Sequence, residues 1–281
     1  MAQNMTVIDA LENVINYVPQ RRKVKLNNAL LGDSDSYPNF SLQSQNSHFG
    51  NIIQNNKKHL ETKLEDENLN PLYCWLWAPR ILKGIIDIGL ESSEAITQED
   101  FLHLKLLAQD YCLNCFSGDY VKAEELLTEI EQRSLPIHKI YNYDGLDSVS
   151  INASHPQNIR ILTKLLNKEV EEFDYLIMGG HGSYRAGFPL ALLTDSQPYV
   201  LRNSNQKKGD LKPRTFEDET KYLLQLLEGK KVVLFDEDVF SGQSIKQFIK
   251  FFNEEIYTPT EFHVCTTRHG EKDDQPKILY L

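Results

Sequence analysis

Short apolar runs alternate with amphipathic segments over residues 151–281. The runs predict buried strands at 173–178, 199–202, 231–235 and 262–267. The segments before and between them predict helices at 156–172, 186–194, 216–227 and 241–252. Strands that alternate with helices form a parallel sheet with right-handed crossovers. The pattern therefore predicts an α/β domain over residues 151–281, in which ligands bind at the carboxyl ends of the strands.

The pattern before residue 151 is mainly helical. Thr97 is placed to cap a helix over 98–116, the turn at 117–119 ends it, and a second helix follows over 120–132. The apolar run at 72–90 predicts a further helix that Pro79 opens. We expect residues 1–150 to form a mainly helical N-terminal region, whose role the sequence does not assign.

Weaker patterns flank these helices. Residues 7–18 carry apolar positions at helical spacing, and residues 137–143 and 148–152 suggest two short strands. The segment 33–58 is rich in Ser, Asn and Gln and poor in aliphatic residues, which predicts an exposed loop or linker.

Composition and charge narrow the classes of function. The formal charge is −10, which disfavours sequence-independent binding to nucleic acid. No apolar run reaches about 18 residues and no secretory signal is evident, so we expect neither a membrane span nor export. The four cysteines are scattered, which predicts reduced thiols in a cytoplasmic protein.

The strongest motif runs from Val232 to Ser244. An apolar strand ends in three acids, Asp236, Glu237 and Asp238, and a Ser-Gly-Gln-Ser turn then opens a helix. Backbone N–H groups at a helix N-terminus favour a phosphate, and a glycine there lets the ligand approach. Carboxylates at the strand end can accept hydrogen bonds from sugar hydroxyls or help to hold Mg²⁺. The motif therefore predicts a site for a phosphorylated sugar.

This stretch resembles the phosphoribosyl diphosphate signature of type I phosphoribosyltransferases. Two upstream segments occur in the order found in that family. The strand and loop at 174–185 resemble the first strand and its diphosphate loop, and residues 200–209 resemble a strand followed by a basic, flexible loop. The resemblance covers about 110 residues. It implies a phosphoribosyltransferase-like fold for the C-terminal half, transfer of phosphoribose to an acceptor with release of diphosphate, and Mg²⁺ as cofactor.

The resemblance also implies the site residues. The catalytic acids are Asp236, Glu237 and Asp238, and Mg²⁺ is held by Asp236 and Glu237. The substrate-binding residues lie in three stretches: Gly180, His181, Gly182, Ser183, Tyr184 and Arg185; then Arg202, Lys207 and Lys208; then Phe240, Ser241, Gly242, Gln243 and Ser244.

Several alternatives stay open at this point. The acid pair is either Asp236 with Glu237 or, shifted by one residue, Glu237 with Asp238. His181 is either a general acid or base or a residue that shapes its loop. Residues 267–269 either approach the ligand or form a solvated strand end.

The function also has alternatives. The chain is a transferase, a sensor of ribose phosphates or nucleotides that lacks turnover, or an effector controlled by a partner. A homodimer stays open, as does a protein or nucleic-acid partner for residues 1–150.

Overall fold

A computed structural model describes residues 45–65, 72–91, 96–133, 140–143, 154–170, 172–180, 182–203, 210, 212–239, 243–259, 261–269 and 276–279. The predicted helix at 7–18 and the predicted strand at 148–152 lie outside these residues. None of the helices in the described part of the chain is long and apolar enough to cross a membrane.

In its described residues, the N-terminal part contains four helices and a two-stranded ribbon. In chain order the elements are β1 (Gln45–His48), α1 (Phe49–Glu65), α2 (Leu72–Glu91), α3 (Gln98–Ser117), α4 (Tyr120–Gln132) and β2 (Ile140–Tyr143). The two strands pair in an antiparallel ribbon. The expected mainly helical character of this part is confirmed for its described residues.

The predicted boundaries of α3 and α4 are confirmed, and the caps explain them. The Thr97 hydroxyl accepts a hydrogen bond from the Asp100 N–H at the start of α3. Gly118 ends this helix with a left-handed φ of 86°. The Asp119 carboxylate then accepts from the Lys122 N–H and starts α4.

Two predictions for the N-terminal part are wrong. Pro79 lies inside α2 instead of opening it, because the helix already begins at Leu72. The expected exposed loop contains β1 and the start of α1. Phe49, Ile52 and Ile53 are almost fully buried there. These few apolar residues form one face of the helix. The segment was predicted to be a loop because most of its other residues are polar.

The C-terminal part is a mixed α/β structure around a five-stranded sheet. Its elements are α5 (Pro156–Glu169), β3 (Tyr175–Gly179), α6 (Ser183–Leu193), β4 (Gln197–Leu201), α7 (Glu217–Leu226), β5 (Lys231–Val239), α8 (Gln243–Glu254), β6 (Glu261–His269) and β7 (Lys277–Leu279). The strand order is β4-β3-β5-β6-β7. The first four strands are parallel and β7 pairs antiparallel with β6. The predicted α/β class and the four predicted strands are confirmed, and β7 was not predicted.

The helical part and the sheet share one hydrophobic core. Buried residues of α1 to α4 belong to the same cluster as buried residues of α5, α6, β3 and β5. Phe116 of α3 stacks on Phe188 of α6, with ring centroids 5.9 Å apart. The domain boundary expected near residue 150 stays a prediction, and packing between the two parts is continuous.

Helix α3 also covers the sheet edge. The side-chain Oε1 of Gln109 accepts a hydrogen bond of 2.7 Å from the backbone N–H of Val200 on the edge strand β4. Buried Lys105 forms an ion pair with buried Glu219 of α7. The contact satisfies one backbone N–H of the edge strand, so at Val200 the edge is not free to pair with another chain.

Candidate functional site at the strand ends

The predicted acids lie where two strands project beyond their neighbour. Strand β3 ends at Gly179, whereas β5 and β6 stay paired out to Val239 and His269. Asp236, Glu237 and Asp238 therefore belong to a ribbon at the carboxyl edge of the sheet. This is the edge at which parallel α/β sheets bind their ligands.

Ser183 connects this ribbon to the loop after β3. Its hydroxyl is fully buried and is shared between the Gly179 carbonyl and Asp236 Oδ1, the latter at 3.1 Å. The same oxygen accepts a hydrogen bond of 3.3 Å from the Glu237 backbone N–H. Ser183, the first residue of α6, thus contacts the backbone of Glu237 and the carboxylate of Asp236.

Two threonines of β6 hold the other side of Glu237. The hydroxyls of Thr266 and Thr267 donate to the Glu237 carbonyl at 3.2 and 2.8 Å. Both threonines are completely buried. Thr267 was predicted to lie at the strand end, whereas Thr266 was not singled out, because a threonine inside a strand carries no sign of a distant partner. Thr267 is therefore part of the support for the acids and is not solvated.

Two glycines of the loop leave room for the acids. Gly180 has a φ of 84°, a conformation that favours glycine. A Cβ on Gly180 would lie 3.0 Å from the Asn203 carbonyl oxygen and 3.9 Å from Asp236 Oδ1. A Cβ on Gly182 would overlap the carboxylate of Glu237. Both acid side chains therefore converge on the loop that was predicted to hold diphosphate.

The two carboxylates differ in their surroundings. Asp236 is partly exposed at the edge, whereas Glu237 is only 7% exposed and lies over Gly182. Gly182 is the N-cap of α6 and has no side chain to satisfy the first N–H groups of that helix. A carboxylate at this position is stabilised by the helix dipole. The two neighbouring residues thus have separate environments within one site.

The donor set fits Mg²⁺ in part. Carboxylate oxygens are the ligands that Mg²⁺ prefers, and such sites often combine one or two carboxylates with substrate phosphates. Asp236 and Glu237 supply two carboxylates in this region. Within the described residues, no group of three or more His, Cys, Asp or Glu side chains is arranged to hold a metal ion.

Arg202 has a structural environment. Its side chain is 2% exposed and its guanidinium lies 3.2 to 3.3 Å from carboxylate oxygens of Asp87, Glu91 and Asp210. Two of these acids belong to α2. These three carboxylates surround the cation, so Arg202 ties the end of β4 to the helical part. Its predicted contact with the substrate stays a prediction.

The other predicted site residues of α6 and α8 differ in how deeply their side chains are buried. The Tyr184 ring is fully buried and burial raises the pKa of its hydroxyl well above its usual value, so its side chain is core and not ligand surface. Arg185, the next residue in the first turn of α6, is partly exposed. Gln243 and Ser244 open α8, with Gln243 exposed and Ser244 half-buried.

Asn203 is a site residue that the sequence did not single out. It follows β4, is 5% exposed, and donates from Nδ2 to the Ser244 carbonyl at 3.0 Å. It therefore joins the end of β4 to the first turn of α8. An asparagine after a strand is an ordinary turn residue, so its sequence context gave no signal.

Six predicted site residues lie outside the described residues: His181, Lys207, Lys208, Phe240, Ser241 and Gly242. Asp238 is described only by its backbone, which is in register with Arg268 of β6. The predicted roles of these seven residues stay predictions.

Comparisons with known proteins add little. No protein-family model matches the chain, and no curated protein matches it. Among solved structures, the chain is similar to glutamine phosphoribosylpyrophosphate amidotransferase from B. subtilis complexed with ADP and GMP, at 18% identity and a TM-score of 0.30. The match covers 42% of this chain and 30% of that chain. A likeness this low establishes neither the fold family nor a function, so function has to be argued from the site itself.

Proposed function

We propose that this chain binds a phosphorylated ribose, as phosphoribosyl diphosphate or a nucleotide, at the carboxyl edge of its sheet. The observation that carries the proposal is the junction at Ser183, whose hydroxyl contacts Asp236 Oδ1 and the Glu237 N–H. This junction brings the acids of β5 against the loop after β3. Sugar-binding acids and a phosphate-binding loop have to be adjacent to bind a single phosphorylated sugar.

Each part of the site has a chemical role in this proposal. Asp236, the more exposed acid, accepts hydrogen bonds from ribose hydroxyls. The predicted turn 241–244 and the N-terminus of α8 bind the 5′-phosphate through backbone N–H groups. Glu237 keeps Gly182 and the loop 180–183 in place through its contact with Gly182. We keep Asp236 and Glu237 as the acid pair, because both side chains face this loop.

The finer proposal is an enzyme that transfers phosphoribose. Breaking the bond between C1 and oxygen builds positive charge on the ribose ring and negative charge on diphosphate. The leaving group is stabilised by Arg185, Lys207 and Lys208 and by the backbone N–H groups of residues 180–184. Mg²⁺, held by Asp236 and Glu237, supplies further neutralisation of the diphosphate when bound. The acceptor is positioned by the helical part, which contacts the end of β4 through Asp87 and Glu91 at Arg202.

Isothermal titration with phosphoribosyl diphosphate and Mg²⁺ tests the binding proposal. We expect Asp236→Asn to raise Kd roughly 10- to 100-fold, because a hydrogen bond to a charged group contributes about 1.5–3 kcal/mol. The matched control is Glu228→Gln, which removes one carboxylate in an exposed turn before β5, at the opposite edge of the sheet. Equal Kd values for both variants and the wild type would contradict the proposal.

A ribose-phosphate sensor without turnover is the second candidate. One observation favours it: the protein's own Glu237 carboxylate lies over Gly182, in the loop where a transferase has to bind the leaving diphosphate. A direct assay for diphosphate release separates the two candidates. Diphosphate release that requires an acceptor supports the enzyme. Binding of phosphoribosyl diphosphate without diphosphate release, whichever acceptor is added, supports the sensor.

The assembly and the partners of the protein are also proposals. We propose a homodimer as the assembly to be tested by light scattering, and residues 1–150 as the region that contacts a protein or nucleic-acid partner. Activity that requires such a partner would identify the chain as the partner-controlled effector considered above.

A further inference from the structure

Asn203 lies where three elements of the proposed site meet. It directly follows β4, its carbonyl oxygen is 3.0 Å from the position of a Cβ on Gly180, and its side chain reaches the first turn of α8. The neighbouring Gly180 N–H donates to Leu201 of β4. Asn203 is therefore held between the loop after β3 and the helix that follows β5.

One hydrogen bond fixes the orientation of the Asn203 amide. The Ser244 carbonyl can only accept, so the atom that contacts it at 3.0 Å has to be the Nδ2 donor. The other amide atom is then the acceptor Oδ1. Rotating the amide by 180° would place two acceptors against each other and lose this bond.

Among the residues that the structure describes, the Asn203 Oδ1 is a buried acceptor without a hydrogen-bond donor. The residue is 5% exposed, and in the part of the chain that the structure describes no N–H or O–H donates to this atom. Buried acceptors in native proteins are almost always satisfied, and exceptions point to a water, an ion or a ligand.

We propose that Asn203 is a specificity-determining residue whose Oδ1 accepts a hydrogen bond from a ribose hydroxyl of the bound ligand. The inference rests on the proposed function, because it takes the ligand to be a phosphorylated ribose. A phosphate or diphosphate group that is fully ionised has no donor for this atom, whereas the 2- and 3-hydroxyls of ribose are donors. Asn203 therefore favours ribose over a sugar that lacks those hydroxyls.

The test combines protein variants with a change in the ligand. Ribose 5-phosphate, the part that phosphoribosyl diphosphate and nucleotides share, is titrated against its 2,3-dideoxy analogue. The hydroxyl preference is the ratio of the two Kd values. Asn203→Leu removes the acceptor at nearly constant size, and Asn203→Ala removes it with a smaller side chain. Asn203→Asp is the matched control, because it loses Nδ2 but keeps an acceptor oxygen.

We expect the hydroxyl preference to fall roughly 5- to 10-fold in Asn203→Leu and Asn203→Ala relative to the wild type, as for one net hydrogen bond. Asn203→Asp should keep the preference, even if its added charge weakens binding of both anionic ligands equally. The two acceptor-deleting variants guard against one of them failing to fold, which circular dichroism detects.

The outcomes separate this inference from the proposed function. If the wild type does not bind ribose 5-phosphate, the proposed function fails and this inference fails with it. If the wild type binds and both acceptor-deleting variants keep its hydroxyl preference, Asn203 only tethers α8 and this inference alone is overturned. An equal loss of both ligands in all three variants would likewise identify the Ser244 tether as its only role.

Discussion

The carboxylate of Glu237 occupies the space into which any side chain at Gly182 would project. Glu237 is held there by its backbone, since Ser183 contacts its N–H and two threonines contact its carbonyl. An acid on β5 and a glycine before α6 thus depend on each other, although they are far apart in sequence. The relationship explains why the loop after β3 has a glycine at this position.

Replacing Gly182 with Ala should therefore destabilise the protein. The new methyl group overlaps a carboxylate that is 7% exposed, and overpacking of this kind costs about 1–3 kcal/mol. Urea unfolding measures the loss. In Gly182→Ala/Glu237→Ala the overlap is absent, so the double variant should be more stable than the sum of the two single effects predicts. Additive effects would show that the two residues do not interact.

The helical part should be required for the α/β part to fold. Without it, the β4 edge loses the Gln109 contact to Val200, and Arg202 loses Asp87 and Glu91. We expect the fragment 151–281 to aggregate or to lack cooperative unfolding, as measured by circular dichroism on heating. A monomeric fragment with a sharp transition would instead support an independent domain boundary near residue 150.

The sequence predicted the sheet and most of its helices because their signals are local. The cap at Thr97 and the left-handed Gly118 set α3, and apolar runs set β3 and β5. In contrast, residues 49–58 of α1 lie in the segment predicted to be an exposed loop, because their buried Phe49, Ile52 and Ile53 stand among polar residues. The hydrogen bond between Gln109 and the backbone of β4 was not predicted either, because a glutamine in a helix gives no indication of a distant backbone partner.

The candidate site was predicted in outline only. Asp236 and Glu237 belong to the predicted motif at the end of β5, Ser183 belongs to the separately predicted loop after β3, and the structure brings the three residues together. Arg202 was expected at the ligand because the motif order placed a basic residue there, and only the fold reveals its three carboxylate partners. Asn203 was missed because its unsatisfied oxygen is a property of packing.

Removing one partner of the buried ion pair between Lys105 and Glu219 should strongly destabilise the protein. Both side chains are almost fully buried, and the Tyr199 hydroxyl also donates to Glu219 at 2.9 Å. Lys105→Met leaves a buried carboxylate without its cation, which costs about 3–5 kcal/mol in urea unfolding. Lys105→Met/Glu219→Leu should recover much of that loss. A single variant as stable as the wild type would contradict the pairing.

The pH dependence of stability should contain a contribution from His59. Burial, with the nearby Lys58 charge as the second cause, lowers the pKa of His59 to about 4. The unfolded chain takes up this proton near pH 6.5, the ordinary value for histidine, so it binds more protons than the folded chain between pH 6.5 and pH 4. This contribution to stability is therefore lost progressively as the pH falls through that window.

His59→Phe isolates this contribution, because it keeps a ring to stack on Trp77, whose centroid lies 6.2 Å away. Thermal unfolding of both proteins is compared at several pH values between 7 and 4. The Tm of the wild type should fall more steeply than that of the variant between pH 6.5 and pH 4. Parallel curves would show that His59 titrates alike in the folded and unfolded chain.

A crystal structure of the full chain with phosphoribosyl diphosphate and Mg²⁺ tests the central claim most directly. We predict ligand density at the carboxyl edge, with the 5-phosphate at the turn that opens α8 and the ribose hydroxyls within hydrogen-bond distance of Asp236. Density at any other place, or a closed edge in which Asp236 and Glu237 contact only protein at saturating ligand, would contradict it.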